Sequence, residues 1–363
     1  MKFDALRWLA LPFAFLFGLV VSLRNWLYKK EILKGYAFDL PTIGIGNLSV
    51  GGSGKSPLTL YLIKLLKEDF KTATLSRGYK RKTKGLVLAN QNSTAYEVGD
   101  EPLMFKKKHP DITVAVRESR AEGIPELLMK RSNIETILLD DVFQHLSLEV
   151  GLNLLLTTFQ NPFYKDYLIP VGNLREFKSG YKRADAIVVT KCPIGITKTE
   201  KEEILQNIKP LADQKVFFSH LEYGYPYFIN MPTQTVSLNL QQHVLLLCGI
   251  ANPQPLEDYV LSKVAAVYRQ YYSDHHYFSH QDLANIVVSF NNIEAQNKII
   301  ITTEKDAMRL ALHPQWFQKH KLPIYVLPVE MAFDAKTKSN FDDYIINFVN
   351  KYFNKDLDAH ILE

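Results

Sequence analysis

Cysteine is nearly absent from this 363-residue chain. Only Cys192 and Cys248 occur, both in or beside apolar stretches, which excludes a disulfide framework and a cysteine-type zinc site and fits a reducing compartment. Charge of one sign is scarce too: 43 Lys and Arg against 38 Asp and Glu leave a net charge of +5. That excess suits an anionic substrate or membrane surface. Without an aromatic-interleaved basic stripe it does not indicate nucleic acid. The chain has no internal repeat and no low-complexity tract. With 47% hydrophobic and 22% charged residues it can bury substantial cores, and its length predicts two domains.

Long apolar runs are missing with one exception, Trp8 to Leu23, flanked by Lys2, Arg7, Arg24, Lys29 and Lys30. The run is shorter than the ~20 residues of a spanning helix and carries Pro12 and Gly18, with aromatic and cationic residues at its ends. This pattern predicts a helix lying on an anionic membrane surface. A signal peptide or a buried core helix is the alternative, but no small-x-small cleavage pattern follows Leu23.

The most informative motif is Gly51-Gly52-Ser53-Gly54-Lys55-Ser56, between a strand-like segment (Thr42 to Leu48) and a helix-like one (Leu58 to Lys67). Glycines let backbone N–H groups approach a polyphosphate, and the helix N-terminus favours its charge. Lys55 can reach the β- and γ-oxygens, and the Ser56 hydroxyl can ligate Mg²⁺. Ser49 stands where the strict pattern has glycine. The helix context carries the reading instead: Leu58, Tyr61, Leu62, Leu65 and Leu66 make one apolar face, and Pro57 sits in the first turn.

A phosphate loop requires an acid from a neighbouring strand. Ile134 to Leu139 is apolar and ends in Asp140-Asp141, so Asp140 is expected on Mg²⁺, with Asp141 assisting; a helix cap is the alternative. Other loops after predicted strands carry candidate binding residues: Arg77 in Ser76-Arg77-Gly78-Tyr79, Arg175 in Leu174-Arg175-Glu176, and Asn252 in Gly249-Ile250-Ala251-Asn252-Pro253. Asp100, in Gly99-Asp100-Glu101-Pro102, either caps a helix or accepts a proton from a hydroxyl. In Asp274-His275-His276, adjacent imidazoles on an extended segment point opposite ways, which disfavours a shared metal. Thr302-Thr303-Glu304-Lys305-Asp306 is a helix cap or a polar wall.

Apolar strand-like runs alternate with helical segments through Thr190, which reads as a parallel α/β sheet. The aromatic stretch Phe217 to Val236 reads as extended connector, and a second alternating set follows from Val244. The expected boundaries are 1–30 for the N-terminal helix, 31–215 for a phosphate-loop domain, 216–238 for the connector and 239–350 for a smaller α/β domain.

Taken in order from Trp8 to about Leu310, these stretches, with Asp140-Asp141-Val142-Phe143-Gln144-His145, resemble the tetraacyldisaccharide 4′-kinase family of lipid A synthesis. Ser49 is usual in that family's loop, whereas Val142 occupies a position usually held by glycine. The resemblance implies two α/β/α sandwich domains of P-loop NTPase type joined by a two-stranded connector, with the active site in the cleft. It implies a peripheral enzyme on the cytoplasmic face of the inner membrane that moves the γ-phosphoryl of ATP to the 4′-hydroxyl of a tetraacylated glucosamine disaccharide 1-phosphate. Lys55 and the loop residues Ser49, Gly51, Gly52, Ser53, Gly54 and Ser56 would hold ATP, Ser56 and Asp140 would hold Mg²⁺, and Asp100 would accept the proton with His275 or His276 behind it. The alternative is a membrane-associated regulatory GTPase or ATPase, although Thr190-Lys191-Cys192 lacks the aspartate of a guanine-specifying loop.

Overall fold

The computed structural model describes residues 8–360, so Lys2 and Arg7 lie outside the described residues. Contacts gather the chain into two compact units. One runs to Arg77 and includes Ile112–Leu221 and everything from Met331 on; the other comprises Gly78–Asp111 and Glu222–Glu330. This division is not contiguous, and it differs from the expected boundaries: residues 78–111 group with the second unit and residues after 330 with the first. Breaks in sequence texture mark where elements change, not which elements later pack together.

The first unit is built on a parallel sheet of β1 (Thr42–Asn47), β2 (Thr72–Ser76), β3 (Thr113–Val116), β4 (Thr136–Asp140), β5 (Leu152–Thr158), β6 (Ala186–Thr190) and β7 (Lys215–Tyr223), in the order β7-β6-β5-β1-β4-β2-β3. Every residue of β1, β2, β4 and β6 is buried. Near-continuous apolar runs are what a strand covered on both faces requires. The connection from β1 to β2 passes over β4, and that from β4 to β5 returns past β1, so the carboxyl ends of β1 and β4 lie at a divergence of crossovers where ligands bind such sheets. Lys215–Tyr223, expected in the connector, is instead the next parallel strand beside β6. Phe217 and Phe218 are buried in it, so its aromatic content reflects core packing.

The second unit has its own sheet, from β8 (Tyr227–Phe228), β9 (Met231–Thr235), β10 (His243–Cys248), β11 (Ala266–Tyr271), β12 (Lys298–Thr303) and β13 (Ile324–Leu327), in the order β9-β8-β13-β12-β10-β11. β10 to β13 are parallel, and the β8–β9 pair is added antiparallel at one edge. Alternate residues of β10 serve opposite faces. Leu245 and Leu247 pack with Leu283, Ile286 and Phe290 of the helix His280–Asn291, while Val244, Leu246 and Cys248 pack with Leu256 and Val260 of the helix Gln254–Leu261. The result is a helix–sheet–helix sandwich. A final strand, β14 (Val329–Phe333), returns the chain beside β7.

The apolar N-terminal segment forms a helix, Leu11–Lys29. Ala14 and Gly18, four residues apart on one face, are its buried positions. A Cβ on Gly18 would lie 2.6 Å from both Leu168 and Phe177 side chains of the first unit, so glycine permits that close approach. Phe13, Phe15, Leu16, Val20 and Leu23 are exposed, Phe13 by 68%. The helix is long and apolar enough to cross a membrane by length and composition.

Candidate active site

The phosphate-loop motif turns out of β1 and into the helix Lys55–Leu66. Gly51 and Gly54 both adopt the left-handed region, at φ +104° and +92°, which side chains with a Cβ rarely tolerate. A Cβ on Gly51 would meet no protein atom within 4 Å, so within the protein it is the backbone conformation that calls for glycine there. Ser49 is bridged to Leu174, and Val50 N–H donates to Asn173 O at 2.8 Å. Thr190, at the tip of β6, donates its hydroxyl to Ser53 O at 2.7 Å. The buried Ser53 Oγ has no hydrogen-bond partner among the described residues, as a hydroxyl kept for a ligand would. Ser56 is buried at the helix start.

Asp140 ends β4, where Ile45 of β1 is its register partner. Asp141 follows in the left-handed region at φ +49°, a conformation Asp tolerates better than branched residues. That answers the question posed by Val142: the left-handed residue is its neighbour, and valine needs no unusual backbone. Val142 is buried with its Cγ1 2.7 Å from where a Gly44 Cβ would stand, and Phe143 Cβ lies 2.5 Å from the same point on Gly46. The acid loop is seated on β1 by two glycines.

Lys55, Asp141 and Arg175 converge. Lys55 Nζ is 3.5 Å from Asp141 Oδ1 and donates to Asn47 Oδ1 at 3.3 Å. Arg175 Nη2 is 3.0 Å from Asp141 Oδ1 and also donates to Asn47 Oδ1. Burial opposes ionisation of Asp141, but Lys55 and then Arg175 outweigh it and hold the carboxyl well below the usual range. Buried Arg120 donates to the carbonyls of Asp140 and Asp141 at 3.2 and 3.3 Å, fixing the backbone of the acid loop. Behind it, buried Glu176 accepts from Asn25 at the end of the N-terminal helix (3.1 Å), from Gln144 (3.1 Å) and from Arg183 (2.8 Å).

Oxygen donors at Ser56 and Asp140, beside a loop whose glycines open backbone N–H groups, suit a hard cation carried on phosphate. Among the described residues no three His, Cys, Asp or Glu side chains form an all-protein metal cage. Arg77 is exposed just past β2. Burial pushes the Cys192 thiol up to about 12, and Pro193 stands at the aspartate position of a guanine-specifying loop, so no carboxylate is offered there.

The second unit holds the other candidates. Asp100 opens the helix Asp100–Lys108, and His275 Nδ1 lies 2.8 Å from its Oδ2. Burial favours the neutral acid, but the hydrogen bond and charge of His275, then Arg309 and Lys305, lower Asp100 below its ordinary value. His275 moves the opposite way: burial pulls it down, and Asp100 more than compensates, raising it. His275 sits at φ +55°, in a turn rather than on the extended segment expected. His276, expected as the other candidate, stacks on Tyr272 at 4.6 Å, and its Nε2 lies 3.0 Å from Oδ2 of Asp282, the N-terminal box residue of the next helix. Asn252 is exposed and accepts the Gln254 N–H at 3.2 Å, as a local turn. Asn47, Arg120, Glu176 and Arg309 were not singled out from sequence. Asn47 and Glu176 stand in stretches read for their neighbours Ser49 and Arg175, and the i, i+3 spacing of Asp306 and Arg309 is a signal that could have pointed to the buried arginine.

The family profile described as LpxK, tetraacyldisaccharide-1-P 4′-kinase, matches residues 6–346. A tetraacyldisaccharide 4′-kinase of Flavobacterium johnsoniae is 40% identical over 348 residues, covering 96% of this chain and 98% of that protein. One of Bacteroides thetaiotaomicron is 39% identical over 370 residues, covering 98% and 97%. Among solved structures, an "apo" form of LpxK from Aquifex aeolicus in complex with ATP superposes with a TM-score of 0.71 at 29% identity, over 95% of this chain and 99% of that one.

Proposed function

This chain belongs to the tetraacyldisaccharide 4′-kinase family, and on that premise we propose that it transfers the γ-phosphoryl group of ATP to the 4′-hydroxyl of a tetraacylated glucosamine disaccharide 1-phosphate. The observation that carries the reading is the gathering of Lys55, Asp141 and Arg175 at the mouth of a left-handed glycine loop. Such chemistry needs alignment and charge neutralisation more than covalent help.

In this assignment the loop amides from Gly51 to Ser56 and the Lys55 ammonium hold the β- and γ-phosphates, drawing Lys55 from Asp141 toward the nucleotide. Ser56 and Asp140 would hold Mg²⁺, which would supply neutralisation of the charge on the phosphates. Asp141 keeps Lys55 and Arg175 on one side of the loop. The 4′-oxygen forms a bond to the γ-phosphorus as the bond to the β,γ-bridging oxygen breaks, and ADP leaves. Asp100, paired with His275, takes the hydroxyl proton late in a loose transition state. Arg77 and Arg175 are assigned to substrate anions.

Membrane placement belongs to the same proposal. The exposed apolar side of Leu11–Lys29 would rest in the inner-leaflet interface, where an acylated substrate presents its sugar. Phosphate transfer from ATP to the acylated disaccharide, assayed against GTP, tests the activity. Transfer is expected with ATP, and turnover of nucleotide without transfer to lipid would contradict it. In Asp100→Ala we expect ATP affinity retained with transfer lost.

A further inference from the structure

On the reading that Asp100 takes the acceptor proton, we propose that Arg309 is a positioning residue for that step. Its buried guanidinium, anchored on Asp306 and on the Gly249 carbonyl, holds Asp100 oriented and ionised opposite His275. All of these groups lie in the second unit.

Arg309 is 1% exposed, and a guanidinium so fully removed from water needs carboxylates beside it to compensate its charge. Its Nη2 lies 2.5 Å from Asp306 Oδ1 and donates to Gly249 O at 2.9 Å. Asp306, fully buried, accepts the Gly249 N–H on both oxygens at 3.1 Å and the Thr303 hydroxyl at 2.6 Å. The anchor is therefore complete without Asp100. Arg309 Nη1 faces Asp100 Oδ2 at 3.3 Å, and neither Nη1 nor Nε has a hydrogen-bond acceptor among the described residues. The fork thus keeps donor capacity turned toward the carboxylate. The Gly249 carbonyl also accepts the His275 N–H at 3.2 Å, so a single peptide group fixes both partners of Asp100. A Cβ on Gly249 would come within 2.9 Å of Asp306 Oδ1.

The chemistry gives Arg309 a task His275 cannot perform. A carboxyl that is 4% exposed is driven by desolvation toward its neutral form, which accepts no proton. His275 adds its positive charge only while protonated and otherwise offers a single N–H; arginine stays charged at every working pH. The charged and titratable groups around Asp100 are His275, Arg309, Lys305 and Tyr277. Glu101 is engaged by Lys305 and Asp306 by Arg309, which leaves Arg309 as the permanent cation in the innermost position.

The test compares the pH profile of kcat for Arg309→Met, Arg309→Lys and Asp100→Asn, with ATP binding measured separately. Arg309→Met is expected to lower kcat tenfold or more, to leave the ATP Kd within about twofold, and to move the acidic limb upward by about one pH unit. Arg309→Lys should restore the limb and part of kcat. A folded Arg309→Met enzyme with an unmoved limb and kcat within about twofold of the parent overturns the proposal. If Arg309→Met does not fold, Asp306→Asn with Arg309→Met removes both buried charges together, and the same criterion applies. If that also fails, Arg309→Gln takes the place of Arg309→Met: an unmoved limb with kcat within about twofold overturns the proposal, and a raised limb with a tenfold loss at unchanged ATP affinity supports it. An active Asp100→Asn enzyme would instead sink the base assignment beneath it.

Discussion

At the residue scale, two cations share one anion at the phosphate loop: Lys55 and Arg175 both face Asp141. Replacing Lys55 by Ala removes the side chain that would follow negative charge onto the γ-phosphate. We expect kcat to fall by about 10²–10³-fold in a folded protein, and near-normal turnover would exclude Lys55 from phosphate contact. His145, in the same acid loop, is held down to about 4, first by burial and then by Arg120. Its folded value lies below its unfolded one, so the unfolded chain binds the extra proton first. The stability from keeping it neutral is fully present above pH ~6.5 and is lost as pH falls toward ~4, a loss of order 2 kcal/mol after screening. His145→Gln should flatten that part of the urea-midpoint profile; an unchanged slope would contradict it. The loop glycines and the acid pair were legible in the sequence because each acts through immediate neighbours in the chain. The pairing of Asp100 with His275 rather than His276 was not, since it depends on one left-handed residue and on a partner 175 positions away. Arg309 stayed hidden for the same reason.

At the element scale, β1 is where the fold and the site constrain each other. Gly44 and Gly46 sit in a fully buried strand, where glycine is otherwise unfavourable. They are there because Val142 and Phe143 press against that strand. Gly46→Ala should therefore cost roughly 1–3 kcal/mol, as Phe143 and its backbone have to move. The loss is to be read from urea unfolding, and a neutral result would mean the acid loop shifts freely. The core strands of both units were legible from their apolar runs. Ala266–Tyr271 was missed because it is an edge strand with no fully buried residue, so it carries no buried run to recognise. Residues 217–223 were misplaced because their aromatic side chains run on into Tyr225, Tyr227 and Phe228, which glycine and proline do punctuate, so strand and connector share one texture.

At the scale of the whole molecule, the two α/β units and the apolar N-terminal helix were expected, but their grouping was not. Segments 78–111 and 331 onward join partners distant in sequence, and that depends on packing rather than on local pattern. The helix carries a prediction of its own. Phe13, Leu16 and Val20 are exposed, and each apolar side chain fully buried in an interface is worth about 1.5–3 kcal/mol. Changing all three to Ser should lower co-sedimentation with anionic vesicles at least tenfold while leaving the urea midpoint nearly unchanged. Equal sedimentation would refute the membrane reading.

The seat of that helix has a mechanical meaning. Gly18 and Ala14 lock it onto the same unit that carries the phosphate loop, and Asn25 at its far end is tied through Glu176 and Gln144 to Asn47 at the root of that loop. Under the proposed placement the helix is a fixed keel rather than a tether: its depth in the lipid sets the altitude at which the loop rides. A thicker or thinner bilayer would then raise or lower the phosphate loop together with the helix.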